Sequence, residues 1–115
     1  MKTDPIKDRQ KRLLKRLVSI RRQHAEQTLI VLQARRADLE HRLREMTAAL
    51  GRLDEVDSQS GELSLSLCHG YVEYLLKQMS DCDAEIILQE KALADAKQAL
   101  RRALHSEDQI SADSR

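Results

Sequence analysis

The sequence predicts an all-α fold in which two long helices form an antiparallel coiled-coil hairpin. Apolar side chains recur at alternating spacings of four and three on each side of a turn-rich segment, as they do at the a and d positions of a coiled coil. The composition is also unsuited to a layered globular core, because the 115 residues include two Tyr, no Phe and no Trp, and 34% are charged. Two helices packed along one seam fit that inventory.

The first helix is predicted over residues 4–53. Asp4 can cap the free amides, and Pro5 suits the first helical position. Its opening is strongly basic, which opposes the helix macrodipole and is explained either by a solvated face or by a partner. The apolar seam of this helix consists of Val18, Arg22, Ala25, Leu29, Leu32, Arg36, Leu39, Leu43, Met46, Leu50 and Leu53.

A second apolar stripe on the first helix points away from this seam. We call it the outer stripe, and it consists of Leu13, Leu17, Ile20, His24, Gln27, Val31 and Ala34. Two explanations are open. Either the outer stripe meets a partner or a second copy of the chain, or the helix rotates near residues 29–32 and uses this stripe in the hairpin itself.

The second helix is predicted over residues 63–105, after a tip at 54–62 and before a flexible tail at 106–115. Pairing residues whose numbers sum to about 118 keeps both seams in register, with Leu39 beside Met79 and Arg36 opposite Cys82. The seam of the second helix consists of Cys68, Val72, Leu75, Met79, Cys82, Ile86, Gln89, Leu93, Ala96, Leu100 and Ala103. Across the hairpin, Glu85 is expected to reach Arg35.

Both tyrosines of the chain lie early in the second helix, beside the seam. The register places Tyr74 largely outside, and Tyr71 lies one turn before it. Exposed aromatic side chains are common interface anchors. The alternative is that the ring of Tyr74 only shields the seam.

No residue pattern indicates catalysis, a cofactor or a metal site. The four histidines have no metal-ligand spacing, and there is no Gly-rich phosphate loop or HExxH motif, so we expect a protein that is not an enzyme. The formal net charge of +1 selects neither nucleic acid nor membrane, and the basic helix lacks the base-reading pattern of a zipper. We expect no transmembrane segment. Two cysteines without a signal peptide point to a reducing cytosol.

The run RLLKRLVSIRRQHAEQTL, from Arg12 to Leu29, resembles the start of the YscO/FliJ family of type III secretion stalk and chaperone-escort coiled-coil proteins. The matching positions are Leu14, Arg16, Leu17, Ile20, Arg21, Ala25 and Glu26. The segment from Tyr71 to Tyr74 is similar to the aromatic-x-x-aromatic segment of that family. The flagellar branch also has tyrosines on its first helix, and this chain has none there.

This resemblance implies an adaptor of a type III secretion apparatus: a central stalk of the export ATPase that also contacts the export gate protein and secretion chaperones. It implies a cytoplasmic protein, peripheral to the inner membrane through the export apparatus, and a monomer or weak self-association. A self-associating coiled-coil scaffold is the alternative, and nucleic-acid binding is a weaker one. The candidate partner-binding residues are Arg12, Leu13, Arg16, Leu17, Ile20, Arg21, Tyr71 and Tyr74.

Overall fold

The computed structural model describes the backbone of residues 5–57 and 62–113, and the side chains of residues 6–55 and 69–113. Over these residues the chain is entirely helical, with α1 at Pro5–Asp57 and α2 at Glu62–Asp113. The predicted all-α helical hairpin is confirmed. The predicted cap at Asp4 lies outside the described residues.

Both helices pass through two compact units. The first unit comprises Met1–Gln33 and Ala92–Arg115, and the second comprises Ala34–Lys91. Within the second unit the helices run antiparallel, because α1 residues of falling number meet α2 residues of rising number: Leu39 bonds to Cys82, and Arg36 bonds to Glu90. Within the first unit, Arg22 of α1 bonds to Glu107 of α2.

The two predicted seams form the interior of the described part of the chain. Its buried residues are Val18, Leu39, Leu75, Cys82, Leu93 and Ala96, and all of them are seam positions. Every other seam member whose side chain is described is half-buried. The prediction of which helical faces meet is therefore confirmed, although the seam position of Cys68 lies outside the described side chains.

The register of the hairpin differs from the predicted one. The thiol of Cys82 donates a hydrogen bond of 3.2 Å to the carbonyl oxygen of Leu39, and these residue numbers sum to 121. Cys82 therefore lies where Met79 was predicted, about one turn away, and the predicted pairing of Arg36 with Cys82 is wrong. The physical reason is the heptad itself. A slide of three residues exchanges a and d positions and keeps the same apolar side chains buried.

The helix ends also lie further along the chain than predicted. α1 continues past residue 53 to Asp57, and α2 continues past residue 105 to Asp113, so the predicted flexible tail is helical over residues 106–113. Spacings of four and three extend the seam from Ala103 through Glu107 to Ile110, and both of these added positions are half-buried. Because Glu107 is charged, the apolar pattern ended before the helix did.

Candidate partner-binding surface

The outer stripe is exposed along its whole length. Every member is exposed, and bulky side chains remain open to solvent, with Leu13 at 56% and Ile20 at 53%. Over the same stretch the seam positions are buried or half-buried. α1 therefore keeps one face on α2, and the explanation that the helix rotates near residues 29–32 is wrong.

Arginines border the outer stripe on both edges. At 100° per residue, Arg9, Arg12 and Arg16 project along one edge of the stripe and Arg21 along the other. All four side chains are exposed. Among the described residues, no ion pair involves a cation that precedes Arg22 in the chain. Six of the predicted partner-binding residues thus share one surface: Arg12, Leu13, Arg16, Leu17, Ile20 and Arg21.

Arg22 is used differently from the cations before it. Its Nε donates a 2.6 Å hydrogen bond to Glu107 of α2, and its Nη1 donates a 3.0 Å bond to Glu26. These hydrogen bonds raise the pKa of the Arg22 guanidinium, Glu107 contributing most. Arg22 therefore links the two helices of the first unit, whereas Arg12, Arg16 and Arg21 join no ion pair among the described residues.

Tyr71 and Tyr74 form an aromatic surface on α2 in the second unit. Their ring centroids lie 6.2 Å apart at an interplanar angle of 17°, so the rings stack on one another. Tyr74 is 57% exposed, which confirms its predicted position outside the seam. The stacking itself was not predicted, although the spacing of three on a helix was the available signal.

A groove between α1 and α2 in the first unit was missed by the sequence analysis. Its volume is about 430 Å³. The residues that line it are Val18, Arg21, His24, Ala25, Thr28, Ala96, Ala99, Arg102, Ala103 and Ser106. The signal was present in Ala96 and Ala103 of the α2 seam, since small seam residues leave space between helices.

Several polar groups of the second unit link its two helices. Arg35 donates to Glu85, as predicted, and Arg36 donates to Glu40 and Glu90. Burial raises the pKa of the Cys82 thiol, with smaller contributions from Asp83 and Glu85, and this thiol donates a hydrogen bond to the carbonyl oxygen of Leu39.

The described residues include no group of three or more His, Cys, Asp or Glu side chains placed to hold a metal ion. Neither helix, over its described residues, is apolar enough for long enough to cross a bilayer. Comparison of the chain with protein-family models, with curated proteins and with solved structures finds no match in any of the three.

Proposed function

We propose that this chain is a non-enzymatic adaptor of a type III secretion apparatus, serving as the central stalk of the export ATPase and as a contact for the export gate and secretion chaperones. Two features support the proposal: the resemblance of residues 12–29 to the family of such stalks, and the surface of the first unit. The observation that carries it is the outer stripe, an exposed apolar line bordered by arginines that enter no ion pair among the described residues.

An arrangement of this kind has a cost in the isolated chain. Contiguous exposed apolar side chains on a soluble protein mark interaction sites, and cations near the start of a helix oppose its dipole. A partner with an apolar strip bordered by carboxylates would offset both effects. We therefore place the ATPase ring on the outer stripe, with Leu17 and Ile20 buried on binding and Arg12, Arg16 and Arg21 facing acidic side chains.

The tyrosine pair supports a second contact. Tyr71 and Tyr74 present two adjacent, half-exposed rings, and aromatic side chains of this kind contribute large apolar area with a polar hydroxyl at the tip. We propose that these rings meet the export gate or a chaperone, which leaves the outer stripe to the ATPase.

The ATPase contact is tested by charge reversal. The triple variant Arg12→Glu, Arg16→Glu, Arg21→Glu should keep the circular dichroism spectrum, because the new carboxylates suit the helix dipole. It should lose co-purification with the ATPase ring and stimulation of ATP hydrolysis. Binding by the wild type should weaken as salt rises, since exposed charges are screened beyond about 8 Å at physiological ionic strength.

The control reverses three arginines of the same exposure elsewhere: Arg44, Arg52 and Arg101, each replaced by glutamate. This variant has the same net charge as the triple variant and should bind the ring as wild type does. Leu17→Asp probes the apolar part of the surface and should also cost ring binding without unfolding the hairpin. Wild-type binding by the triple variant would exclude the stalk assignment.

The gate contact is tested with Tyr74→Ala. Because the ring is exposed, the free energy of unfolding should change by no more than about 0.5 kcal/mol, while binding to the export gate or a chaperone weakens. The control is Leu88→Ala, at an exposed apolar residue on the same helix and in the same unit. It should change neither the free energy of unfolding nor binding to the export gate or a chaperone. A fall of several degrees in melting temperature for Tyr74→Ala would remove the proposed binding role.

A self-associating scaffold is the second candidate, because the outer stripe could also meet its copy on another chain. The like charges along its edges oppose that pairing. Sedimentation of the wild type and of Leu17→Asp separates the two functions: a concentration-dependent dimer that Leu17→Asp abolishes would favour the scaffold.

A further inference from the structure

We propose that the groove of the first unit is a docking site for a partner helix whose bulky apolar side chains are flanked by carboxylates. The groove lies between α1 and α2 and has a volume of about 430 Å³. It belongs to the two packed helices themselves, and the proposal stands whether or not the chain serves a secretion system.

The floor of the groove determines the shape of its occupant. Ala25 of α1 and Ala96, Ala99 and Ala103 of α2 contribute only methyl groups, so both helix backbones are within reach of an incoming side chain. A helix that lies along such a row of small residues can place leucine-sized side chains into the holes between them, as in knobs-into-holes packing. The floor therefore favours a third helix with large residues at spacings of three and four.

The rim of the groove determines the charge of its occupant. Arg21 stands on the α1 wall and Arg102 on the α2 wall, and neither joins an ion pair among the described residues. His24 lies beside Arg21 on the same wall. A helix with glutamates on both sides of its apolar line would meet a cation on each wall.

A second copy of the chain is the weaker occupant. The apolar surface that it would insert is the outer stripe, whose edges carry Arg12, Arg16 and Arg21. Placing these arginines against the cationic rim would put like charges together at the interface, which is destabilising. Charge complementarity thus selects an acidic partner helix.

The test uses a fluorescein-labelled 21-residue helical peptide with leucines at a and d positions and glutamates beside them. Fluorescence anisotropy with the full chain should show saturable binding. A peptide with the same leucines and lysines in place of the glutamates should bind at least about tenfold more weakly. Equal binding of the two peptides would overturn the proposal, because the rim would then play no part.

Two variants locate the binding. Arg102→Glu should weaken binding of the acidic peptide at least about tenfold. Arg101 is exposed but lies outside the groove, so Arg101→Glu should bind the peptide within about twofold of wild type. Ala99→Leu should fill the groove and reduce binding while circular dichroism melting shows the hairpin intact. If Arg101→Glu and Arg102→Glu weakened binding equally, or if Ala99→Leu bound as wild type does, the groove would not be the site.

Sedimentation gives the remaining outcome. A dimer of the wild type that Ala99→Leu abolishes would replace the acidic helix with a second copy as the occupant. Arg102→Glu leaves the outer stripe unchanged, so it should retain binding to the ATPase ring. Because Arg21 and His24 belong to both surfaces, Arg102→Glu and not the triple reversal separates the groove from the proposed stalk function.

Discussion

The two units are built from the same helices and the same heptad spacing, yet they differ in which of their arginines form ion pairs. In the second unit, Arg35 and Arg36 meet carboxylates on both helices. In the first unit, Arg22 is held in the same manner, whereas Arg12 and Arg16 join no ion pair among the described residues. Ion pairing thus distinguishes Arg22, Arg35 and Arg36, which link the two helices, from Arg12 and Arg16, which do not.

The units also differ in how their seams close. Leu39 in the second unit is 1% exposed, and the Cys82 thiol packs closely enough to bond to its carbonyl oxygen. In the first unit the α2 seam alternates leucine and alanine, and a groove remains beside Ala96 and Ala103. Side-chain size, and not the spacing of apolar residues, decides whether two helices with an uninterrupted seam leave room for a third element.

The largest expected effect comes from truncating a side chain that is buried in the seam of the second unit. Leu39→Ala should lower the free energy of unfolding by about 3 kcal/mol, through lost burial and the cavity left behind. Leu17→Ala removes the same atoms from the exposed outer stripe and should change the free energy of unfolding by less than about 0.5 kcal/mol. Urea unfolding followed by circular dichroism measures both. Similar losses would mean that the outer stripe is packed and that the comparison between the two faces fails.

A smaller effect of opposite sign is expected at the polar break in the α2 seam. The Oε1 atom of Gln89 is buried and has no hydrogen-bond partner within the part of the chain that the structure describes. Gln89→Leu should therefore raise the free energy of unfolding by about 1 kcal/mol, since an unsatisfied buried acceptor is removed and an apolar side chain takes its place. Gln98→Leu, at an exposed position, is the control and should be near neutral. A loss of stability for Gln89→Leu would show that the amide is satisfied in solution.

The smallest effect is expected from the ion pairs of the second unit. Arg35→Gln removes the exposed contact to Glu85 and should lower the melting temperature only slightly, and less so in high salt, because such pairs are screened. Arg9→Gln, which breaks no ion pair among the described residues, should leave the melting temperature unchanged. Equal shifts for the two variants would show that these pairs add nothing.

Spacing alone predicted the faces that meet but not their alignment. Every described seam position is buried or half-buried, because burial depends only on which face each residue occupies. The alignment of the two helices depends on side-chain size at individual layers. A slide of one layer keeps the same heptad positions buried, so the spacing did not predict that Leu39 meets Cys82 and not Met79. The pair of Arg35 and Glu85 survived this error because long side chains reach across a turn.

The candidate partner-binding surface was likewise predicted from the sequence only in part. The exposure of Leu17 and Tyr74 follows from helical geometry and was predicted, although the competing rotation of α1 was excluded only by the structure. The groove was not predicted, because apolar pattern counts alanine and leucine alike and ignores their difference in volume. The end of α2 was predicted at residue 105, before Glu107, a charged residue that occupies a seam position and accepts a hydrogen bond from Arg22.

The contacts between the helices also imply an order of folding. Leu39 and Cys82 are separated by 43 residues along the chain, and Arg22 and Glu107 by 85. Closing a loop of twice the length costs about 0.6 kcal/mol more in chain entropy, a penalty that disappears once the inner contact has shortened the remaining loop. Contacts with the shorter separation are therefore expected to form first, and pairing of the two helices then proceeds from the second unit toward the chain ends. The groove and most of the outer stripe, which lie in the first unit, are then expected to form last, whereas the tyrosine pair forms with the second unit.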